Sequence, residues 1–226
     1  MYVAKKITDN IFQVGGSGLS HPDDCSVYLL ELGDLVLVDA GAASDPSAIV
    51  DNVTSLGYSE KSISHVILTH CHIDHIGGAA ELRRRCGCSL VAHELEASPI
   101  ETGESRITAA DMYGVSLDPF PLDIKIGGDG QTLSFRDGDL ECIHTPGHTP
   151  GSMSVVYDSG ELRVLFGQDV HGPLLPDFGS DREAFLASLR RLKALDADVL
   201  CEGHFGVFRT AAEVRKYIDG YISEYC

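Results

Sequence analysis

Residues 69–78 of this 226-residue chain read Thr69-His70-Cys71-His72-Ile73-Asp74-His75-Ile76-Gly77-Gly78. Within six of these positions lie three imidazoles and one carboxylate, those of His70, His72, Asp74 and His75. Protonated imidazoles so close together would repel one another. A metal ion removes that conflict, because it binds neutral imidazole and deprotonated carboxylate. The spacing therefore predicts a metal site.

The residues on either side of this segment predict a strand–turn–helix unit. Residues 65–68 form a short apolar run typical of a buried strand, and residues 76–85 follow as a helix. Gly77 and Gly78 have no Cβ atom, so the turn and the start of the helix can pack closely. The metal-type side chains would then lie on an irregular turn at a strand end, where ligands gather in α/β folds.

The rest of the chain predicts one α/β domain spanning residues 1–226. Strands are predicted over 2–7, 11–14, 26–32, 35–39, 89–92, 124–126, 132–135, 140–144, 152–157, 162–166 and 199–201. Helices are predicted over 46–56 and 182–195, and from a capping box at 210 to about 221. A mixed segment at 94–120 is predicted to form a lid or a pocket wall. The second half thus repeats the first half's order of strands before helices.

Three later segments carry further metal-type residues, and each follows a predicted strand. They read Thr145-Pro146-Gly147-His148-Thr149-Pro150-Gly151-Ser152, Phe166-Gly167-Gln168-Asp169 and Cys201-Glu202-Gly203-His204. An earlier segment, Leu37-Val38-Asp39-Ala40-Gly41, also ends a predicted strand. Polar side chains at several strand ends are expected to converge on one edge of the sheets.

The pattern H-x-H-x-D-H at 70–75 resembles the signature of the metallo-β-lactamase superfamily residue for residue. The later segments follow in the order that this superfamily shows, and residues 37–41 look like its early V-D-x-G element. The resemblance extends over roughly residues 25–206. It implies an α/β fold, a four-layer αβ/βα sandwich of two mixed sheets flanked by helices.

The resemblance also implies a pair of divalent metal ions. The ligand set implied by position is His70, His72 and His148 for a first ion, Asp74, His75 and His204 for a second, and Asp169 for both. Asp39 matches a position that orients a ligand histidine. Imidazole and carboxylate donors together suit Zn²⁺, with iron or manganese as alternatives.

The activity implied by this resemblance is hydrolysis. Two ions would hold a bridging water and lower its pKa toward about 7, which gives a hydroxide nucleophile at neutral pH. We expect it to act on a small ester, lactone or thioester, as in glyoxalase II-like and lactonase-like members, because no basic cluster stands out to clamp a phosphate. Asp74 or Asp169 would pass a proton to the leaving group. His171 is predicted as a proton donor or substrate contact, with a structural hydrogen bond as the alternative.

Other activities in the superfamily use related motifs. Persulfide dioxygenases hold one iron at the positions of His70, His148 and Asp169, so oxidation by a mononuclear iron stays open. Phosphodiesterases, among them the tRNA-maturing ribonucleases, share H-x-H-x-D-H. A third hypothesis is a metal-binding module without enzymatic activity. Tyr113 is a candidate for the tyrosine that lactonases use near the metals, and the role of His21 is left open.

Composition restricts the partners of this chain. Its 34 acidic against 17 basic residues give a formal charge of −17, which argues against nucleic acid and leaves a small-molecule substrate. No run reaches the roughly 20 apolar residues that a membrane span needs, so we expect a cytoplasmic protein without a membrane partner. The seven cysteines are expected to be reduced, and Cys86 and Cys88 are expected to pack rather than bind a metal. The oligomeric state is left open, a dimer included.

Overall fold

Two mixed β-sheets form the framework of the protein, as seen in a computed structural model that describes residues 4–226. The first sheet contains seven strands, which neighbour one another in chain order: β1 (Lys5–Lys6), β2 (Ile11–Gly15), β3 (Val27–Glu31), β4 (Leu35–Val38), β5 (Ile63–Ile67), β6 (Ser89–His93) and β7 (Ile124–Ile126). Neighbours from β1 to β4 are antiparallel, and those from β4 to β7 are parallel.

The second sheet contains six strands. They are β8 (Gly130–Phe135), β9 (Gly138–His144), β10 (Met153–Asp158), β11 (Arg163–Phe166), β12 (Val199–Cys201) and β13 (Val207–Phe208), in the spatial order β13-β12-β11-β10-β9-β8. Only β11 and β12 are parallel in this sheet.

Seven α-helices cover the sheets or interrupt the loops between strands. They are α1 (Ser47–Ser55), α2 (Ile73–Ile76), α3 (Ala79–Cys86), α4 (Ala97–Thr102), α5 (Ala110–Tyr113), α6 (Arg182–Ala194) and α7 (Ala211–Tyr225). Short 3₁₀ turns occupy Glu60–Ser62, Glu94–Glu96 and Pro176–Phe178. None of the helices within residues 4–226 combines the length and the apolar character that crossing a bilayer requires.

Alternation along the strands builds four layers from these elements. In β3, Val27 and Leu29 face a core shared with α1 and α3, whereas Tyr28 and Leu30 face the core between the two sheets. In β11, Phe166 lies in that central core, and the opposite face of the second sheet packs on α6 and α7. Side chains of a strand alternate between faces, so each sheet buries both sides. The predicted αβ/βα sandwich is confirmed.

The predicted helix over 76–85 is wrong in its start and its continuity, because the structure divides this region into α2 and α3. The two helices meet at Gly77 and Gly78, where the backbone also bonds to the loop after β4. The N–H of Ala40 donates to the carbonyl of His75 over 2.8 Å, and the N–H of Gly78 donates to the carbonyl of Gly41 over 3.2 Å. These tertiary bonds override the local helical pattern.

Other differences from the prediction concern the ends of elements. The predicted strand over 2–7 is observed only at Lys5–Lys6, and its first two residues lie outside the described residues. The two-residue strand β13 was not predicted, because it is too short to show an alternating pattern. Helix α7 continues to Tyr225, beyond the predicted end near 221, while its predicted cap is present: the Thr210 side chain accepts from the N–H of Glu213.

Gly77 should be intolerant of any side chain, because the loop after β4 lies directly against it. A Cβ atom there would stand 2.0 Å from the carbonyl oxygen of Ala42 and 2.5 Å from its carbonyl carbon. We expect Gly77→Ala to lower the free energy of unfolding by about 1–3 kcal/mol, as overpacking does elsewhere. Denaturant unfolding measures this.

Gly220→Ala is the matched control for that substitution. Gly220 lies in α7 with no atom within 4 Å of an added Cβ, so alanine should leave stability unchanged or raise it through helix propensity. Equal effects of the two substitutions would contradict the close approach at Gly77.

Candidate metal centre

The seven predicted ligand side chains come from four loops at strand ends, and the structure brings all seven together. His70, His72, Asp74 and His75 follow β5, with His72 as the N-terminal cap of α2. His148 lies in the loop between β9 and β10, Asp169 follows β11 and His204 follows β12. Six of them are buried, with no more than 6% of their surface exposed, whereas His204 is exposed.

The first cluster is formed by His70, His72, His148 and one oxygen of Asp169. The Nδ1 atom of His72 lies 3.0 Å from the Nε2 atom of His70 and 3.0 Å from that of His148. Asp169 Oδ2 lies 3.7 Å from His70 Nε2 and 3.4 Å from His148 Nε2. Four donor atoms therefore surround one point.

The second cluster is formed by Asp74, His75, His204 and the other oxygen of Asp169. Asp74 Oδ2 lies 3.5 Å from His75 Nε2 and 3.2 Å from His204 Nε2. Asp169 Oδ1 lies 3.3 Å from each of the same two nitrogens. Asp169 thus turns one carboxylate oxygen toward each cluster.

The spacing of these donors fits metal ions. Ligands at about 2.0–2.2 Å from a tetrahedral ion stand about 3.3–3.6 Å apart, close to the distances in both clusters. Moreover, two buried atoms that point into the second cluster, His75 Nε2 and Asp169 Oδ1, have no hydrogen-bond partner. Buried polar atoms without partners are costly, and coordination to a cation would satisfy them.

The charges of the cluster residues are consistent with the same role. Burial, followed by the neighbouring imidazoles, holds the pKa of His70 well below its ordinary value, so the ring is neutral as a ligand must be. Burial alone would raise the pKa of Asp169, but the imidazoles of His75, His148 and His204 beside it hold that pKa well below its usual range. Asp169 is therefore ionised throughout the neutral pH range.

Asp39 lies directly behind the second cluster, as the resemblance implied. Its side chain is fully buried, and its Oδ2 atom lies 2.6 Å from Nδ1 of His75. The same oxygen accepts from Thr69 Oγ1 over 2.9 Å and from Gln168 Nε2 over 2.7 Å, while Oδ1 accepts from the N–H of Thr69 over 2.8 Å. Held in this way, Asp39 fixes the orientation of the His75 ring, so that Nε2 faces the cluster.

Glu96 is a buried carboxylate whose role the sequence did not reveal. It is 1% exposed, and its Oε2 atom accepts from the N–H of Cys71 over 2.7 Å. Its Oε1 atom accepts from the N–H of Gly151 over 2.6 Å and from Thr149 Oγ1 over 3.0 Å. Glu96 therefore ties the loop of His70 and His72 to the loop of His148.

Glu202 is the corresponding anchor of the second cluster and was also missed. It is fully buried, and its Oε2 atom accepts from the N–H groups of His204 and Phe205 over 2.6 Å and 2.7 Å. Its Oε1 atom lies 2.8 Å from Nδ1 of His171. Nothing in the sequence marks this role apart from the position of Glu202 beside His204.

His171 and Tyr113 lie at the edge of the clusters. A ring nitrogen of His171 belongs to a group with donor atoms of Asp169 and His204, all within 4.8 Å of one another. Its hydrogen bond runs to a carboxylate, that of Glu202, and not to the backbone. The phenol of Tyr113 lies beside Asp74: burial and then this carboxylate raise its pKa.

The remaining candidates lie away from the clusters. His21 is exposed and belongs to no group of metal-type donors among the described residues. Cys71 is buried in the core shared with α1 and α3, so it packs away from its histidine neighbours, as alternation predicts. Cys86 and Cys88 pack in the same core, and all seven cysteines are free thiols.

The sequence of this chain is similar to those of known proteins. The sequence profile described as "Metallo-beta-lactamase superfamily" matches residues 21–204. The hydroxyacylglutathione hydrolase GloC of Haemophilus influenzae is 25% identical over 199 residues, which cover 85% of this chain and 90% of GloC. The thioesterase pkgB of Emericella nidulans is 30% identical over 182 residues, which cover 79% of this chain and 45% of pkgB.

Solved structures show the same fold. BJP-1, a subclass B3 metallo-beta-lactamase of Bradyrhizobium japonicum, superposes with a TM-score of 0.83 at 25% identity. The superposition covers 99% of this chain and 92% of BJP-1.

Proposed function

The chain belongs to the metallo-beta-lactamase superfamily, and from that premise we propose that it is a dinuclear, metal-dependent hydrolase of small thioesters, with related esters and lactones as weaker substrates. The observation that carries this proposal is the shared carboxylate of Asp169, which turns one oxygen to each of two four-donor clusters. A single-ion site would need only one of these clusters.

The ligands proposed for a first Zn²⁺ are His70, His72, His148 and Asp169, and those for a second are Asp74, His75, His204 and Asp169. The chemistry supplied by such a pair of ions is polarisation of the substrate carbonyl and activation of water at neutral pH. Imidazole and carboxylate donors are common zinc ligands, and the burial that keeps His70 neutral favours binding.

The side chains around the clusters have distinct parts in the proposed reaction. Asp39 and Glu96 hold the ligand loops in place through the hydrogen bonds described above. Glu202 bonds to the ring of His171 beside Asp169 and His204, and we expect His171 to exchange a proton with a leaving group there. Asp74 and Asp169 keep the role of proton carriers as a prediction, secondary to their role as ligands.

The preference for thioesters rests on the relatives and on charge. Two of the relatives, GloC and pkgB, are named for thioester hydrolysis. A formal charge of −17 opposes a polyanionic phosphodiester substrate. A cytoplasmic location, a single domain over 1–226 and the absence of a nucleic-acid or membrane partner stay predictions.

A substrate panel tests the proposal. The chain, loaded with Zn²⁺, is assayed against thioesters, oxygen esters, lactones and a phosphodiester with the same acyl or alkyl group where the chemistry allows. Thioesters should give the highest kcat/KM. Turnover of the phosphodiester alone would reject the proposal of thioester hydrolysis. The same holds if the iron-loaded chain takes up oxygen with a persulfide and hydrolyses none of the substrates.

A further inference from the structure

A cavity of about 550 Å³ lies next to the second cluster and plays no part in holding the proposed ions. Its walls come from the loop after β4, from α2 and α3, and from the segment after α5. Ile73 and Gly77, which line it, flank Asp74 and His75 in the chain, and Tyr113 belongs both to its wall and to the surroundings of Asp74. A cavity of this volume is in the range that binds small molecules, about 300–1,000 Å³.

Apolar side chains form part of the lining of this cavity, beside polar side chains that include His21 and Ser44. The loops and helices of the first sheet contribute Ala42, Ile73 and Ala80 to the cavity. The segment 94–120 contributes Val115 and Leu117. None of these five side chains can form a hydrogen bond, so they favour an apolar occupant.

Exposed apolar side chains are concentrated around the same region. Among the described residues, five large apolar side chains are exposed, and three of them, Met112, Tyr113 and Val115, lie within four consecutive positions of the insertion. Apolar surface gathered beside a catalytic cluster indicates contact with an apolar ligand.

The charged side chains at the cavity do not favour an anion. Four acidic residues line it, namely Asp23, Asp45, Glu81 and Asp118, against one arginine. That arginine, Arg84, already pairs with Glu81 through bonds of 2.6 Å and 2.5 Å. An anionic group entering the cavity would meet like charges and no free guanidinium.

We infer that this cavity binds the apolar acyl chain of a thioester, and that it selects against acyl chains that carry negative charge. The inference rests on the proposed function, and it adds to it the class of acyl group. The specificity for the acyl group comes from the segment 94–120, which contains α5, and from the start of α3.

A series of acyl chains tests this inference. Thioesters from acetyl to decanoyl on one neutral thiol, N-acetylcysteamine, are assayed with the Zn²⁺-loaded chain. We expect kcat/KM to rise about threefold to fourfold per methylene until the cavity is full, from the transfer free energy of a buried methylene. At one chain length, an acyl group that ends in a carboxylate should be at least about tenfold poorer than the neutral acyl group.

Two substitutions locate the effect. Ala80→Leu fills part of the cavity from α3 and should move the best substrate to a shorter chain, with little effect on the acetyl thioester. Val115→Asp should lower kcat/KM for the long chains by a larger factor than for the acetyl thioester. Leu95→Asp is the matched control, since Leu95 is 52% exposed and does not line the cavity, and it should alter neither.

A binding measurement separates this inference from the proposed function. Calorimetry with ketone analogues, in which a methylene replaces the thioester sulfur, reports binding without turnover. Affinity that rises with chain length and a negative heat-capacity change would support the cavity as an acyl site, even if no thioester is hydrolysed. Equal affinity and equal kcat/KM for all chain lengths, or a preference for the acyl group that ends in a carboxylate, would overturn it and leave hydrolysis standing.

Discussion

Asp169→Asn is expected to abolish hydrolysis and to weaken metal binding at both clusters at once. Asp169 has a φ of 38°, a conformation that asparagine tolerates well, so the substitution removes the charge without backbone strain. Its two oxygens lie 3.3–3.7 Å from four ligand nitrogens, two in each cluster. The loss of affinity should exceed the roughly 10–100-fold caused by losing a residue behind a ligand. Metal titration with a chromophoric chelator measures it.

Asp196→Asn is the matched control for this variant. Asp196 also has a left-handed φ, 50°, but its side chain is 66% exposed and pairs with Arg215 far from the ligand set. It should bind metal and hydrolyse substrate like the unaltered chain. Asp169→Asn protein that still binds two ions tightly would contradict the bridging role, and circular dichroism of both variants excludes misfolding as the reason.

Asp39→Asn should lower metal affinity selectively at the second cluster. Asparagine tolerates the left-handed φ of 65° at this position. In the unaltered chain, the Asp39 carboxylate faces the donors of His75 and Gln168, and in the variant these donors would face an amide. We expect affinity there to fall by about 10–100-fold, and each donor left without an acceptor to cost about 1–3 kcal/mol of stability. Titration should then show one tight ion and one weak ion.

The selectivity of this effect is what distinguishes orientation from general destabilisation. Asp39 bonds to the ring of His75, and its bonds nearest to the first cluster go to the hydroxyl and backbone N–H of Thr69, the neighbour of His70. Equal weakening of both ions, or of neither, would contradict the orienting role. Asp196→Asn serves again as the control of equal charge change.

The convergence of the seven proposed ligands was predictable because these residues form compact patterns within the chain. Four of the seven lie in six positions, and the other three lie in short segments that each follow a strand. The layers were predictable for the same reason, since alternation in strands such as β3 is local. Asp39 was found through its motif.

Contacts between distant segments were not predictable from local patterns. Glu96 accepts bonds from Cys71 and Gly151, which lie 25 and 55 positions away, and a glutamate at the end of a 3₁₀ turn has no signature of that role. The break between α2 and α3 likewise depends on Ala40 and Gly41, about 35 positions earlier in the chain. Such roles emerge only when the sheets bring the loops together.

Metal stoichiometry tests the central claim most directly. The chain is purified without added metal, saturated with Zn²⁺, passed through a desalting column and analysed for metal and protein by mass spectrometry. Two donor clusters that share Asp169 predict two zinc ions per chain. After Asp169→Asn we expect one zinc ion per chain or none. A single ion per chain at saturation, above all one iron that supports persulfide-dependent oxygen uptake, would contradict the dinuclear hydrolase.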